Sequence, residues 1–544
     1  MRTTDTSSEA VSFAVTAKIS AQQRHQKNLQ QAQLLLDAYH DGDAGVMDLF
    51  HQYIALSKIP GYQPSQQDAQ LVAGWQSMKV TRPNLEKLRK LAKQLLKQLR
   101  MDATQTDHKQ ALARVRAHHP DGINKPLETF KLADAQWVVA RESHFASWPK
   151  LKRYIERLEE AECAVNSGVE LDAELKTLHI RCGSDLKQFL PAAGLTGDFL
   201  EVSNPFPQGR VPPSEPLEVF VETRRQFIVD YYCPHIPELK PEQAGDDFRT
   251  EEQQLRQLPG DYQRIVLWFE HDAFDQLCFA YITQHLSRAK LEGVALELVQ
   301  VDSYPGIDRF IGLGQLSAQP QNLALLWQQR RPLTQRDINI GCRTWQAFTG
   351  TKPAELWTLT QEKNSPLPIM QSAMRRMLQE LPWTTDGLSL TQRLALQLVQ
   401  REQGREQNEQ QEQGGTEGVG RRRLFGFLNA EAEPQPYLGD LMFFSVLDEL
   451  CQAKKPALVL LGGELEGSEL EKREQKKEEL EAKDQKQVEA NKRYQLTEVG
   501  RQLLTGQMNW RDCGPKKRWL GGVDVHPVAK GWCWDEVLGR AVFE

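Results

Sequence analysis

Three features of this 544-residue sequence predict a multidomain α/β protein. Short apolar runs alternate with helical stretches between residues 175 and 318, and the run 265–269 stops abruptly on Glu270, His271 and Asp272. Buried parallel strands read this way when they deliver side chains to the open edge of a sheet, where α/β proteins place their sites. Upstream, one helical unit occurs twice. Downstream, helix, strand and helix with Gly-rich turns close the chain. The expected fold is an N-terminal all-α tandem repeat, a central Rossmann-like domain with a mostly parallel sheet and a helical extension, and a C-terminal winged-helix-like α+β domain.

Residues 1–20 read as a disordered tail. They lack a charged segment followed by an apolar core, so no signal peptide is expected. The tandem repeat spans 21–162, with copies at about 25–90 and 91–160. Asp68-Ala-Gln-Leu-Val-Ala-Gly-Trp75 recurs as Asp134-Ala-Gln-Trp-Val-Val-Ala-Arg141. In register, Ser77 matches Ser143, Pro83 matches Pro149 and Leu85 matches Leu151. Upstream, residues 32–39 echo 92–99. Leucines at helical intervals, and a Pro near the first turn of each closing helix, mark repeated helical units. Such units bind partners or pack on the next domain.

The α/β domain is expected over 170–318, with strands at 178–180, 198–202, 265–269 and 295–301. Helices are expected at 184–193, 219–231, 251–258 and 274–290, and a Pro-rich loop follows the second strand. Residues 319–400 read as wholly helical, in segments 324–329, 334–349, 353–359 and 368–381. The polar low-complexity stretch 401–422 reads as a mobile linker or frayed helix. In the winged-helix-like part, 423–544, a helix is expected at 441–453, a strand at 457–461 and a helix capped by Thr497. Between them, acids and bases alternate at helical spacing over 464–493, the pattern of a solvated helical insertion.

Net charge is −6 with pI near 6.1, which argues against whole-protein attraction to nucleic acid. Eight cysteines contain no CxxC pair, and Cys233 with His235 lacks a second pair at zinc spacing. No apolar run is long enough to span a bilayer. A cytoplasmic protein with reduced thiols and no membrane contact is expected.

Several stretches together resemble a known family. LHIRCGSD at 178–185, GDFLEVSNP at 197–205 and LWFEHDAFDQL at 267–277 are similar to the bacterial domain of unknown function 1835. Proteins of that kind also carry a segment like DAQWVVARESHFASWPKLK at 134–152. Their tails resemble Leu438-Gly-Asp440, Leu496-Thr-Glu-Val-Gly500, Arg518-Trp-Leu-Gly-Gly522 and Trp532-Cys-Trp-Asp535. The likeness covers most of 85–395 and 437–537, and it implies a family and no activity. Two positions depart from the pattern. An acid-Pro pair reads Asn204-Pro205 here, and a Gly-Pro-Val reads Gly209-Arg210-Val211.

Candidate catalytic residues are Glu270, His271 and Asp272, which converge only if the strand ends at Phe269. Asp275 shares a helical face with Asp272, and Asp302 ends the next strand. These groups could ligate a divalent ion, or His271 could act as a general base oriented by Asp272 or Asp302. Alternatively, an acid caps the helix that follows and His271 is a hydrogen-bonded surface residue. Arg181-Cys-Gly-Ser-Asp185 ends the first strand. There Gly183 permits a tight turn, Ser184 could cap or meet a phosphate, Arg181 could neutralise an anion, and Asp185 opposes it. Cys182 with His271 as base is a weaker nucleophile reading. The loop 302–309, with Asp308 and Arg309, could cover a ligand.

Arg511, Lys516, Lys517 and Arg518 flank Trp510 and Trp519, a small positive aromatic patch suited to nucleic acid or to a protein core. Two functions follow. The α/β domain binds a small phosphorylated or nucleotide-like ligand at its sheet edge, with hydrolysis assisted by metal or His271. The alternative is a non-enzymatic regulator whose repeats and winged-helix-like part bind protein or nucleic acid.

Overall fold

A computed structural model describes residues 21–54, 63–121, 124–233, 236, 239–413, 418–461, 492–525 and 530–544. The expected tail 1–20, His235 of the candidate zinc pair and nearly all of the charged insertion lie outside the described residues.

The N-terminal half opens with seven helices: α1 (Ala21–His40), α2 (Ala44–Tyr53), α3 (Gln66–Ser77), α4 (Leu85–Leu99), α5 (Thr106–His118), α6 (Leu132–Glu142) and α7 (Trp148–Asn166). The repeated Asp has one local job in both copies. Asp68 accepts the Ser65 N–H at 3.0 Å and Asp134 accepts the Lys131 N–H at 2.7 Å, each satisfying a donor at the start of its helix. Matching residues thus fall on α3 and α6, and on α1 and α4. The helix that closes the first copy, α4, is also the first helix of the second.

The two copies pack differently. Leu35, Leu36, Phe50 and Val72 of the first form a small core of their own. In the second, Leu95, Val115, Val138 and Leu151 share one core with Val266, Trp268 and Val299 of the sheet. The second copy is therefore a layer covering one sheet face.

That sheet contains β1 (Thr177–Arg181), β2 (Asp198–Glu201), β3 (Arg264–Phe269), β4 (Ala295–Gln300) and β5 (Arg331–Pro332) in the order β2-β1-β3-β4-β5. All neighbours are parallel except β4 and β5. Successive side chains alternate between faces: Val266 and Trp268 meet the repeat helices, whereas Ile265, Leu267 and Phe269 meet the opposite layer. That layer comprises α8 (Leu217–Tyr231), α9 (Pro241–Arg256) and α10 (Ala273–Leu286), with α12 (Gln335–Thr349), α13 (Pro353–Thr360) and α14 (Pro368–Leu378) outside them. On the repeat side lies α11 (Pro320–Gln328), packed on α7. Every residue of α10 is buried except Phe274. The close approach of α12 requires Gly341, whose added Cβ would lie 2.5 Å from Thr283 Oγ1.

Four local expectations need correction. Residues 184–193 form turns ending in a 3₁₀ turn, Pro191–Ala193, rather than an α-helix. The segment 319–400 is not wholly helical, because Arg331–Pro332 pairs with β4. Of the two readings of 401–422, the helical one holds for 401–413, which end α15 (Leu390–Gln413), and the linker one does not; Gln403 Oε1 accepts the Leu496 N–H at 2.9 Å. The end of the chain adds two hairpins, β9–β10 (Arg518–Leu520, Val523–Val525) and β11–β12 (Trp532–Asp535, Arg540–Phe543), that no sequence signal marked. Leu520, Val523, Val525 and Trp534 join the core of the α/β region.

Between α15 and those hairpins lie β6 (Val419–Gly420), α16 (Arg421–Phe427), a π-helical turn at Leu428–Ala432, α17 (Asp440–Cys451), β7 (Leu458–Leu461), β8 (Arg493–Leu496) and α18 (Glu498–Leu504). Their strands form an antiparallel sheet in the order β6-β8-β7. Leu396 and Val399 of α15 pack in the same core as Phe427, Phe443, Leu458 and Tyr494. The helix begun at Leu390 therefore belongs to this unit.

Candidate functional site

The chain runs from β1 to β2 on one side and returns to β3 on the other. A crevice is thereby set between the carboxyl ends of β1 and β3, where open α/β sheets place ligands. Here the crevice holds a network of the protein's own charges. Arg181, the last residue of β1, is 3 % exposed. Its guanidinium lies 2.9 Å from Glu270 Oε2, donates to Asp275 Oδ1, and reaches both Asp185 oxygens at 3.1 and 3.2 Å. Backbone amides complete the set. The Glu270 N–H donates to Asp275 Oδ1 at 2.8 Å, and the Leu313 N–H donates to Glu270 Oε2 at 2.5 Å. Gly312 is required beside that carboxylate, since an added Cβ would lie 2.4 Å from Glu270 Oε1. Asp272 caps α10 by accepting the Asp275 N–H at 2.8 Å.

One guanidinium cannot neutralise the Glu270, Asp272 and Asp275 carboxyls crowded at this point, so the neutral form of some of them is favoured. Burial pushes the Asp275 carboxyl up to about 7 against the pull of Arg181, with Glu270 adding to the rise. Burial also drives Asp272 well above the usual carboxylate range, reinforced by Asp275 and Glu270. For Arg181 the desolvation cost is outweighed by Asp275, Glu270 and Asp185, so it stays firmly protonated. The arrangement stores protons among close carboxyls. Oxygens of Glu270, Asp272 and Asp275 lie within 4.8 Å of one another, a spacing that a divalent ion can bridge, but the same groups already accept from Arg181 and from main-chain N–H groups.

The two turns after β1 and β3 thus meet, as their strand ends suggest, and the meeting point is interior. Arg181 is enclosed by carboxylates rather than presented to a ligand. With no helix after residue 184, Ser184 has no helix start to cap and is exposed. Gly183, at φ +81°, makes the turn into open space. Cys182 is buried with its sulfur 3.6 Å from that of Cys278, and burial raises its thiol, against a nucleophilic role. Asn204 is buried, and its Oδ1 accepts the Arg224 Nε–H at 2.8 Å.

His271 parts from its neighbours. Its ring stacks on Phe310 with centroids 5.5 Å apart and lines an open pocket of 440 Å3. Asp302, Asp308 and Arg309 line the same pocket, together with Arg24 of α1, Arg375 of α14 and Gln435. The 302–309 loop is pinned by both repeat copies. Its Arg309 N–H donates to the Ser77 carbonyl and the Thr81 N–H donates to the Gly306 carbonyl, both at 2.8 Å. Asp308 sits 2.7 Å from both Lys27 and His144, contacts that hold its carboxyl far below the usual range, the His144 hydrogen bond foremost.

The cations here are held differently from Arg181. Arg309 donates to the carbonyls of Asn429 at 2.8 Å and Glu433 at 2.7 Å, and Arg375 donates to the Thr360 carbonyl at 2.9 Å. Arg24 also donates to the Glu433 carbonyl, at 3.0 Å. Carbonyls position a guanidinium without cancelling its charge. Burial, and then the neighbouring Arg24, lower Arg309 to about 10, with Glu433 opposing the fall.

Sequence reasoning missed Arg24, Arg375 and Gln435. They lie on three separate segments that read as ordinary helix and loop, so no local signal could have found them. Of the basic set near the end of the chain, Lys516, Lys517 and Arg518 line one cavity of 890 Å3 with Trp519, whereas Arg511 lies outside it. Lys516 donates to Gln452 at 2.7 Å, Lys517 pairs with Asp524 at 2.8 Å, Arg511 faces Glu544 at 3.4 Å, and Arg518 donates to the Glu380 carbonyl. Trp519 lies between Arg210 and Lys517, each 4.9 Å from its ring. Among the described residues no helix is long and apolar enough to cross a membrane. Comparisons with protein-family models, curated proteins and solved structures gave no match.

Proposed function

We propose that this chain binds a small phosphorylated or nucleotide-like ligand in the 440 Å3 pocket beyond β3 and β4. The observation that carries the reading is the placement of Arg309 and Arg375 there, hydrogen-bonded to carbonyls and so retaining charge for an anion. The parallel order β2-β1-β3-β4, with helices on both faces, supports a Rossmann-like assignment, in which ligands sit beyond the carboxyl ends of strands. His271 on the pocket wall is the group suited to proton transfer, which is what a hydrolytic role would ask of it. The neighbouring Glu270–Asp272–Asp275 set is the place a divalent ion would be sought. Membership of the family with the FEHD-x-FDQ stretch is part of the same proposal, supported by the position of those residues at the end of the central strand.

Titration calorimetry of the full chain with inorganic phosphate, AMP and ATP tests the reading. Binding by at least one, weakened about tenfold or more by Arg375→Ala, is expected, since a charge-assisted contact contributes about 1.5–3 kcal/mol. No binding of any of the three, or equal binding by the variant, removes the proposal.

A second reading has its own observation. The order α15, β6, α16, α17, β7, β8, with sheet order β6-β8-β7, supports a winged-helix-like reading of this unit. Its third helix, α17, carries Asp440, Asp448 and Glu449 and no basic residue. A regulator or adaptor built on this unit would meet protein rather than a duplex.

A further inference from the structure

A separate cavity of 410 Å3 opens where the loop after β2 meets α8, α9, the first turn of α10 and the start of α17. It shares no lining residue with the anion pocket. Ile228, Tyr232, Phe248, Phe274, Leu441 and Met442 make its walls largely apolar and partly aromatic.

Ser203, Asn204, Asp247, Glu251 and Asp440 interrupt that lining, and two of them, Asn204 and Glu251, carry a buried atom with no hydrogen-bond partner. Asn204 is 4 % exposed, and its Oδ1 accepts from Arg224 Nε. That bond fixes the amide, because turning it over would set an NH2 against the guanidinium. Its Nδ2 is then a buried donor with no hydrogen-bond partner. The second group is Glu251. Its Oε2 accepts the Ser203 N–H at 3.1 Å, while Oε1 is buried with no hydrogen-bond partner. Because Ser203 directly precedes Asn204, both groups belong to one stretch of wall. Burial pushes the Glu251 carboxyl up to about 8 against the hydrogen bond from Ser203, so at neutral pH it presents an O–H. Two donors without acceptors, set among aromatic side chains, are a costly arrangement for a merely structural wall and a complementary one for a ligand.

The geometry points to a second binding site, for a small planar heteroaromatic molecule that offers carbonyl or ring-nitrogen acceptors to Asn204 and Glu251, of which a nucleobase is the type. Phe248, Phe274 and Tyr232 supply ring contacts, and the amide and carboxyl fix orientation. This site does not depend on the anion pocket.

Titration of the full chain with uracil, with hypoxanthine and with indole as a ring lacking a carbonyl tests it. At least one base should bind more tightly than indole. Glu251→Leu should weaken that base by about tenfold or more, the loss of one buried hydrogen bond of about 1.4 kcal/mol. Glu251→Gln keeps a donor and should bind within about threefold of the unaltered chain. Leu441→Trp should fill the cavity and abolish binding, with melting temperatures recorded for every variant. The inference is overturned if neither base binds, if indole binds as well as the bases, or if binding survives Leu441→Trp. Equal affinity in Glu251→Leu and the unaltered chain overturns it too. Should Glu251→Leu fail to fold, the Glu251→Gln and Leu441→Trp results decide.

Discussion

Substituting Arg181 by Met keeps the length of the side chain and removes the cation that Glu270, Asp275 and Asp185 share. Removing one partner of a buried ion pair costs about 3–5 kcal/mol, because the other charge is left uncompensated. Two of these three carboxylates are themselves buried, which places the penalty in that range at pH 7.5. The dependence on pH is the sharper expectation. Asp275 sits at about 7 in the fold, above the unfolded value of about 3.9, so the folded chain holds a proton that the unfolded chain has released. A raised carboxyl of this kind lowers stability as pH climbs from about 4 to about 7. Without Arg181 the carboxyls rise further and that decline steepens. Equilibrium unfolding in urea at pH 5 and pH 7.5, compared between Arg181→Met and the unaltered chain, measures both effects. The expected penalty is about 3–5 kcal/mol at the higher pH and less than about half of that at the lower. A penalty below about 1 kcal/mol at pH 7.5, or one that grows on acidification, would refute the reasoning.

Asp172→Asn should destabilise with the opposite pH signature. Trp268 Nε1–H donates to His179 Nδ1 at 3.1 Å, so His179 Nε2 carries the hydrogen and donates to Asp172 at 2.9 Å. Burial works to raise this carboxyl, but His179 and the Thr196 and Gly197 amides prevail and bring it to about 2. The resulting stability, about 2 kcal/mol, is present above pH 4 and lost as pH falls through 2, which acid titration of the variant against the unaltered chain reads directly. Asp272→Ala removes the cap of α10, and because burial holds this carboxyl protonated the substitution relieves no charge repulsion. Its cost in urea unfolding should be about 1 kcal/mol, the usual loss for a cap. Electrophoretic mobility of a labelled duplex with the full chain should show no salt-dependent shift that Lys517→Ala abolishes, since that ammonium group already pairs with Asp524.

Local chemistry made some of this architecture legible. The apolar run 265–269 specifies a strand buried on both faces whichever helices cover it, and its break at Glu270 marks the strand end that the structure shows. The repeated Asp-Ala-Gln reports a helix start, because Asp68 and Asp134 satisfy main-chain donors only three residues away. Where the deciding partner is distant, the sequence carries no sign of it. The polar stretch from 401 to 413 reads as a linker until Glu402 is seen buried against Arg401 and Arg423, and Gln403 is seen holding Leu496. Arg181 next to Gly183 reads as a ligand contact, and only the folded sheet sets it among Glu270 and Asp275, about ninety residues further along. The sequence by itself determined β1 to β4, the caps at Asp272 and Thr497 and the turn that ends β3, because periodicity and capping act within one or two turns of chain. The tertiary structure alone decided which charges neutralise one another and which side chains meet at a pocket. Burial and Coulomb interactions depend on distance in space, and they brought Arg24, Arg309 and Arg375 to one pocket from three separate segments.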